Sequence, residues 1–352
     1  MVKRFIRNLK KEISLNLSTK NKLSIEISSM RSCSIRCSYC PQDLLIASSN
    51  KNKNSENLII DKFSNYLDKL DPIKANIHWT GFVEPCLNKD LPEMLSYAEQ
   101  KGFNQFISTT LVGHKSSIES VSNASYLKRV NLHLPDNDGL MENGSLKVNQ
   151  NYLERLKSIL DKAKSHKNKK IFTMTFGKDY HPLIKKILYD KSYESFLEVS
   201  KPALFVHTRA GVIDNKVFKG FIRKKILFVF LKKFKKKIIE IILSITPKIN
   251  TFHCSYKRLN QPVLLGDGKL SICCMDYGLN CIIGDLNEVN NYELLYDKWL
   301  SNNLDKFISG KLSPCTKCEY YQKISLISLV MLYFRKYKKY LAKSFTSNKS
   351  DF

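Results

Sequence analysis

Apolar and polar positions repeat with two different periods between about residues 23 and 208. Short runs with period two read as strands at Lys22–Ser29, Lys74–Gly81, Asn104–Thr110, Arg129–Asp136, Lys169–Phe176 and Ala203–Gly211. Between them, spacings of three and four predict helices at Leu58–Leu70, Leu91–Gly102, near Ser116–Ser122, at Asn151–His166 and near Leu183–Glu198. The second of these has Pro92 near its start and Gly102 at its end, the usual asymmetry of helix termini. Strands that alternate with helices predict a parallel sheet wrapped by helices.

The strands carry a further signal. Parallel strands buried on both faces read as continuous apolar runs. These alternate instead. Ser24, Glu26 and Ser28 share one face, as do Asn76, His78 and Thr80; then Ser108 and Thr110; Asn131 and His133; Thr173 and Thr175; His207 and Arg209. Such faces suit a curved barrel with apolar sides under the helices and polar sides around a ligand cavity. A flat sheet with one wet face fits less well, because helical crossovers cover both faces of a parallel sheet.

Residues 216–246 break the pattern. Leu227, Leu231, Phe234, Ile238, Ile241 and Ile245 recur at helical spacing among lysines, which reads as a basic amphipathic helix. The tail after Ile324 places apolar bulk before a Lys/Arg/Tyr cluster. Either segment fits a helix packed on the protein's own body or one lying on an anionic membrane surface. The chain carries 58 basic against 32 acidic residues, a formal charge of +26 that favours an anionic partner. At 43% hydrophobic it can bury a sizeable core. The longest apolar run, Ile324–Phe334, is eleven residues, short of the roughly 18 that cross a bilayer. The first twenty residues contain no apolar signal core. The expectation is a cytoplasmic protein with reduced thiols, peripheral at most on the inner membrane face.

Among the ten cysteines, Cys33, Cys37 and Cys40 form a CxxxCxxC run directly after the first predicted strand. In a reducing compartment, clustered cysteines point to metal or catalysis. Three thiolates from one loop can hold three irons of a 4Fe–4S cube and leave the fourth free for a small molecule. The position, at the carboxyl end of a barrel strand, is where barrel active sites form.

With Tyr39 before the last cysteine, this run resembles the CxxxCxφC signature of the radical SAM superfamily. The resemblance covers roughly residues 22–320. It implies a partial (β/α)6 TIM-like barrel, in which S-adenosylmethionine chelates the open iron and one electron cleaves it to a 5′-deoxyadenosyl radical that abstracts hydrogen from substrate. Reduced flavodoxin or ferredoxin is the implied electron donor. Gly81, Glu84 and Pro85 in "WTGFVEPC" resemble the family's Gly-Gly-Glu-Pro turn at the methionyl amine, with Val83 where a second glycine usually sits. Thr109 in "STT" resembles a ribose-contacting turn. Arg209 in "TRAG" resembles an adenine-side turn, followed here by Val212 rather than Asn.

A second cysteine set lies near the C-terminus: Cys254 and Cys273 with Gly268 between, then Cys315 and Cys318. Four thiolates in two pairs make a closed site, and spacing alone leaves structural zinc and a fully ligated cluster both open. The spacing resembles the SPASM or twitch extension of radical SAM enzymes, which implies one auxiliary 4Fe–4S cluster in a small cysteine-rich α+β extension. "GDGKLSICC" also reads as a hairpin turn leading into a strand. Cys86, Cys274 and Cys281 read as core or loop residues.

The expected organisation is a basic segment over 1–22, the barrel over 23–212, an amphipathic insertion over 213–250, the auxiliary domain over 251–322 and a basic, apolar tail over 323–352. His78, Asn131, His133 and His207 are expected to face the cavity. His133, with Asp136 just after it, is the first candidate proton acceptor, and Asp276 beside the auxiliary cysteines is the second. Three functions stand at this point: oxidation or epimerisation of a sugar, nucleotide sugar or glycolipid; modification of a ribosomally made peptide; and a zinc-bearing nucleic-acid binder, which leaves the three-cysteine site and Glu84 unexplained. Against the peptide reading, no fused peptide-recognition domain is expected in the residues before the first strand, though a separate protein could supply one.

Overall fold

The computed structural model describes residues 2–18, 22–52, 57–142, 144–165, 170–203, 209 and 251–324. Its elements are α1 (Val2–Ser18), β1 (Leu23–Ile27), α2 (Gln42–Lys51), α3 (Ile60–Leu67), β2 (Ala75–Trp79), α4 (Leu91–Gln100), β3 (Asn104–Thr109), α5 (Lys115–Asn123), β4 (Arg129–His133), α6 (Gln150–Lys164), β5 (Lys170–Met174), α7 (Pro182–Leu188), β6 (Leu197–Val199), β7 (Phe252–Cys254), β8 (Val263–Leu264), β9 (Lys269–Ser271), β10 (Ile282–Asp285), α8 (Tyr292–Ile308) and β11 (Tyr321–Lys323). The chain divides into two units. The larger comprises residues 21–218 and 259–301; the smaller comprises 1–20, 219–258 and 302–352.

In the larger unit, β1 to β6 lie side by side in sequence order and all pair in parallel. This is the six-stranded α/β arrangement of a partial barrel, as the alternation predicts. The sheet continues past β1. β8 pairs in parallel with β1, and β9 and β10 add antiparallel strands beyond it. The predicted hairpin is thus real, and it extends the main sheet.

The period-two pattern places the core. Ile77, Trp79, Ile107, Val130, Leu132 and Ile171 are buried on one face, where α4 packs on β3 and α6 on β5. Full burial of each such side chain is worth about 1.5–3 kcal/mol. Asn76, His78, Ser108, Asn131 and His133 are half-buried on the other face. β1 differs, because Ser24 and Glu26 are buried as well as Ile25 and Ile27. It is an inner strand flanked by β2 and β8.

Two expectations need correction. Thr173 and Thr175 lie on the buried face beside Ile171, while Phe172 is half-buried and Met174 exposed on the other side. A threonine tolerates burial when its hydroxyl is bonded, and Thr173 Oγ1 is 2.9 Å from the Tyr180 hydroxyl. The stretch read as helix near Leu183–Glu198 is helical only to Leu188, and the sixth strand comes earlier, at Leu197–Val199. Ala203 makes one parallel bridge to Phe176. The rest of the expected sixth strand except Arg209, the amphipathic segment 216–246 and the tail after Ile324 lie outside the described residues.

The smaller unit contains α1 against the antiparallel pair β7–β11. Ile13 of α1 packs with Ile324, flanked by Leu9 and Leu17. Among the described residues no helix is long and apolar enough to cross a membrane.

One buried polar link ties the layers together. Trp79 Nε1 donates to Gln105 Oε1 at 2.9 Å, and Gln105 Nε2 donates to the Leu95 carbonyl at 2.9 Å. Gln105→Leu strands the indole N–H without a partner. It is expected to lower stability by about 1–3 kcal/mol, read as a lower urea midpoint at unchanged slope.

Candidate metal and cofactor site

Beyond β1 the chain leaves the sheet and forms the cysteine loop. Cys33 is buried, Cys37 and Cys40 are half-buried, and all three are free thiols. Gln42, at the start of α2, pins the loop. Its Oε1 accepts from Cys33 N at 3.0 Å, and its Nε2 donates to the Phe82 carbonyl at 2.7 Å and to Cys40 Sγ at 3.3 Å. The loop after β4 straps the other side. Ser38 N donates to the Leu140 carbonyl at 2.9 Å and Ser145 N to the Ser34 carbonyl at 3.2 Å. Gly144 makes this approach possible, because a β-carbon there would stand 2.3 Å from the Ile35 carbonyl oxygen.

Burial pushes the Cys33 thiol up to about 11 and the Cys37 thiol up to about 12, and each feels the Cys40 sulfur nearby. Thiols so placed give up their protons only to a metal. Among the described residues no three ligating side chains close on one point as a single ion requires. A 4Fe–4S cube gives each thiolate its own iron, so the sulfurs need not meet. Three soft donors, no disulfide and one shared loop fit that group.

The Glu84 turn follows β2. Gly81 has φ +89°, and a β-carbon there would press Ser28 and Val263 at 3.1 Å. Glu84 caps the short 3-10 turn that starts at Pro85. Its carboxylate is buried and accepts four bonds: from Cys86 N at 3.1 Å, Thr109 Oγ1 at 2.6 Å, Thr110 N at 2.7 Å and Thr110 Oγ1 at 2.8 Å. Burial pushes this carboxyl up and the four donors pull it back. Thr109 and Glu84 form one buried unit at the ends of β2 and β3, and Gln42, on the Phe82 carbonyl, ties the same turn to the cysteine loop.

A third group sits at Tyr39. Its hydroxyl is 3.2 Å from His133 Nε2, its ring stacks on the imidazole at 5.8 Å, and Phe176 meets both rings edge-on. Burial, and then the Arg209 charge, push the His133 imidazole down to about 4. Arg209 adopts φ +50°, bonds Met275 Sδ at 3.8 Å and lies 5.6 Å from the Tyr277 ring centre. Among the described residues its Nε has no partner. Tyr277 completes the group: its hydroxyl is 3.2 Å from Cys40 Sγ and its ring meets Phe82 edge-on at 4.9 Å. Burial holds that hydroxyl well above the usual tyrosine range.

The two aspartates lie in turns that they themselves hold. Asp136 Oδ1 accepts from Asp138 N at 2.8 Å and Leu140 N at 3.0 Å. Asp276 accepts from Asn280 N at 3.0 Å and Cys281 N at 2.8 Å, and burial raises its carboxyl. His78 stacks on Phe106 at 4.7 Å, and Asn131 donates to Ser108 Oγ at 3.1 Å. His207 lies outside the described residues. Sequence reasoning missed Gln42 and Tyr277; their only signal was proximity, two residues after Cys40 and four after Cys273.

In the smaller unit, Cys254 ends β7 opposite Tyr321 of β11. Cys315 opens a 3-10 turn and Cys318 N donates to its carbonyl at 2.9 Å. Cys254 N donates to Ser18 Oγ at 2.8 Å. Burial pushes Cys318 up to about 11, with Cys254 adding to the effect. Three of the four expected auxiliary ligands, Cys254, Cys315 and Cys318, thus belong to the smaller unit and Cys273 to the larger one.

No family model matches the sequence, and no curated protein does. Solved structures do match in fold. SuiB of Streptococcus suis, bound to precursor peptide SuiA, aligns with TM-score 0.51 and 15% identity over 90% of this chain and 73% of that one. BtrN in complex with AdoMet and 2-DOIA aligns with TM-score 0.48 and 12% identity over 87% and 95%. anSMEcpe with bound AdoMet aligns with TM-score 0.47 and 13% identity over 85% and 84%. At such identity the likeness shows the fold alone, a partial α/β barrel of the kind seen in SuiB.

Gly144→Val is expected to push the two loops apart and lower the iron retained per chain after anaerobic reconstitution and gel filtration. For His133, the folded value of about 4 lies below the ordinary 6.5. The folded chain then binds fewer protons than the unfolded chain between those values, so stability is present above them and lost as pH falls through about 4. Urea titrations are expected to show wild type losing ground to His133→Asn between pH 7 and pH 4.5.

Proposed function

We propose that this chain is a radical SAM enzyme. The observation that carries the reading is the set of three free thiols on the loop after β1, one buried and two half-buried, with Gln42 bonding both ends of the loop and the turn after β2. Cys33, Cys37 and Cys40 would hold a 4Fe–4S cluster and leave its fourth iron to S-adenosylmethionine. Gly81, Glu84, Pro85, Thr109, Tyr39 and Arg209 would line the cofactor's side. Together the bound groups supply one-electron chemistry that removes hydrogen from an unactivated carbon.

This chain's residues then orient the substrate and handle its proton. The half-buried polar face of β2 to β4 offers His78, Ser108 and Asn131 as hydrogen-bonding groups. With the proton of neutral His133 on Nδ1, its Nε2 would accept from the Tyr39 hydroxyl 3.2 Å away. A proton released by substrate passes to the Tyr39 oxygen as the hydroxyl proton moves to Nε2. Cys254, Cys273, Cys315 and Cys318 would hold one auxiliary 4Fe–4S cluster.

The substrate class we favour is a sugar, nucleotide sugar or glycolipid, oxidised or epimerised. Hydrogen-bonding side chains along the open face support it, and the basic charge supports work at an anionic inner membrane face, with reduced flavodoxin or ferredoxin as donor. A second reading, modification of a ribosomal peptide, is favoured by one observation: SuiB was solved with its precursor peptide.

Anaerobically reconstituted protein is expected to bind about eight irons, as two cubes, and when reduced to cleave S-adenosylmethionine to 5′-deoxyadenosine. Cys40→Ala is expected to abolish that cleavage. Stoichiometric zinc without iron, or cleavage by the variant, would overturn the reading. Deuterium transfer into 5′-deoxyadenosine from labelled nucleotide sugars or from a labelled peptide separates the two substrate classes.

A further inference from the structure

The Cys40 sulfur is bonded more heavily by side chains than the loop's sequence suggests. Tyr277 reaches it from a turn more than two hundred residues later, with its hydroxyl 3.2 Å from Sγ. Gln42 Nε2 adds a second contact at 3.3 Å. A metal-bound cysteine is a thiolate with no proton to give, so the tyrosine must be the donor. The ring is fixed on both sides, by Phe82 edge-on at 4.9 Å and by the Arg209 guanidinium 5.6 Å from its centre. The turn is fixed in its own right by the Asp276 carboxylate, which accepts from Asn280 N and Cys281 N. The hydroxyl is therefore held at the sulfur by packing on its ring and by bonds within its turn.

We propose that Tyr277 is a positioning residue that donates a hydrogen bond to the Cys40 thiolate and raises the reduction potential of the cluster at that loop. The inference rests on the cluster reading above. A hydrogen bond to a ligating sulfur withdraws electron density and favours the more negative, reduced form of the cluster. The Arg209 charge beside the same ring acts in the same direction. Tyr277 thus eases the arrival of the electron that precedes cofactor cleavage.

Tyr277→Phe keeps the ring and removes only the donor. In an anaerobic redox titration followed by electron paramagnetic resonance, the variant is expected to retain wild-type iron content with its midpoint shifted to more negative potential. Its cleavage of S-adenosylmethionine is expected to slow with a protein donor and recover with a stronger chemical reductant. Phe82→Leu, which loosens the packing on the ring but spares the hydroxyl, is expected to shift the midpoint in the same direction by a smaller amount. An unchanged midpoint in an iron-replete Tyr277→Phe protein overturns the inference and leaves the cluster reading standing. A wild-type protein that takes up no iron overturns both.

Discussion

Thiolates crowded together out of water are unfavourable unless a cation joins them, and the cysteine loop of the larger unit is subject to that constraint. Cys33 and Cys37 are held far from ionisation by burial, and each feels the neighbouring sulfur. An unsupported loop would turn them outward. Two elements prevent this: Gln42 bonds both ends of the cysteine run and the Phe82 carbonyl of the turn after β2, and the loop after β4 straps the other side. The loop is thus shaped in advance for a charge it does not itself carry.

Glu84 shows how a cofactor-type motif also serves the fold. All four donors to its carboxylate come from Cys86, Thr109 and Thr110. A buried carboxylate with fewer donors would be costly, since an unpaired buried charge is strongly destabilising. The motif's side chain therefore locks the ends of β2 and β3, while the Phe82 carbonyl in the same turn holds Gln42 of the cysteine loop.

The barrel was legible wherever alternation was clean. β2, β3 and β4 put Ile77, Ile107 and Leu132 on one face and His78, Ser108 and Asn131 on the other, as read. β5 misled because threonine suits either face: Thr173 is buried against Tyr180, which no local pattern signals. β6 was missed because its three residues are too short to show a period. The hairpin at Gly266–Gly268 was visible, but its pairing with β1 is long-range, and β8 has only two residues. The cysteine loop was legible because three cysteines within eight residues stand out in the sequence itself. Gln42 and Tyr277 were not, since an amide and a phenol near a sulfur are defined only by the tertiary structure.

The seat of β1 between β2 and β8 has a consequence for biogenesis. The edge of β1 that faces β8 cannot close until Val263 and Leu264 exist, more than two hundred residues after β1 is made. At ordinary rates of synthesis that is a wait of roughly ten to fifty seconds. Throughout it the nascent cysteine loop lacks its phenolic cap and hangs from a strand with one open side. Completion of the loop's surroundings is thereby tied to the completed polypeptide, and ribosome-bound fragments ending before that point are the species whose thiols are most exposed to oxidation.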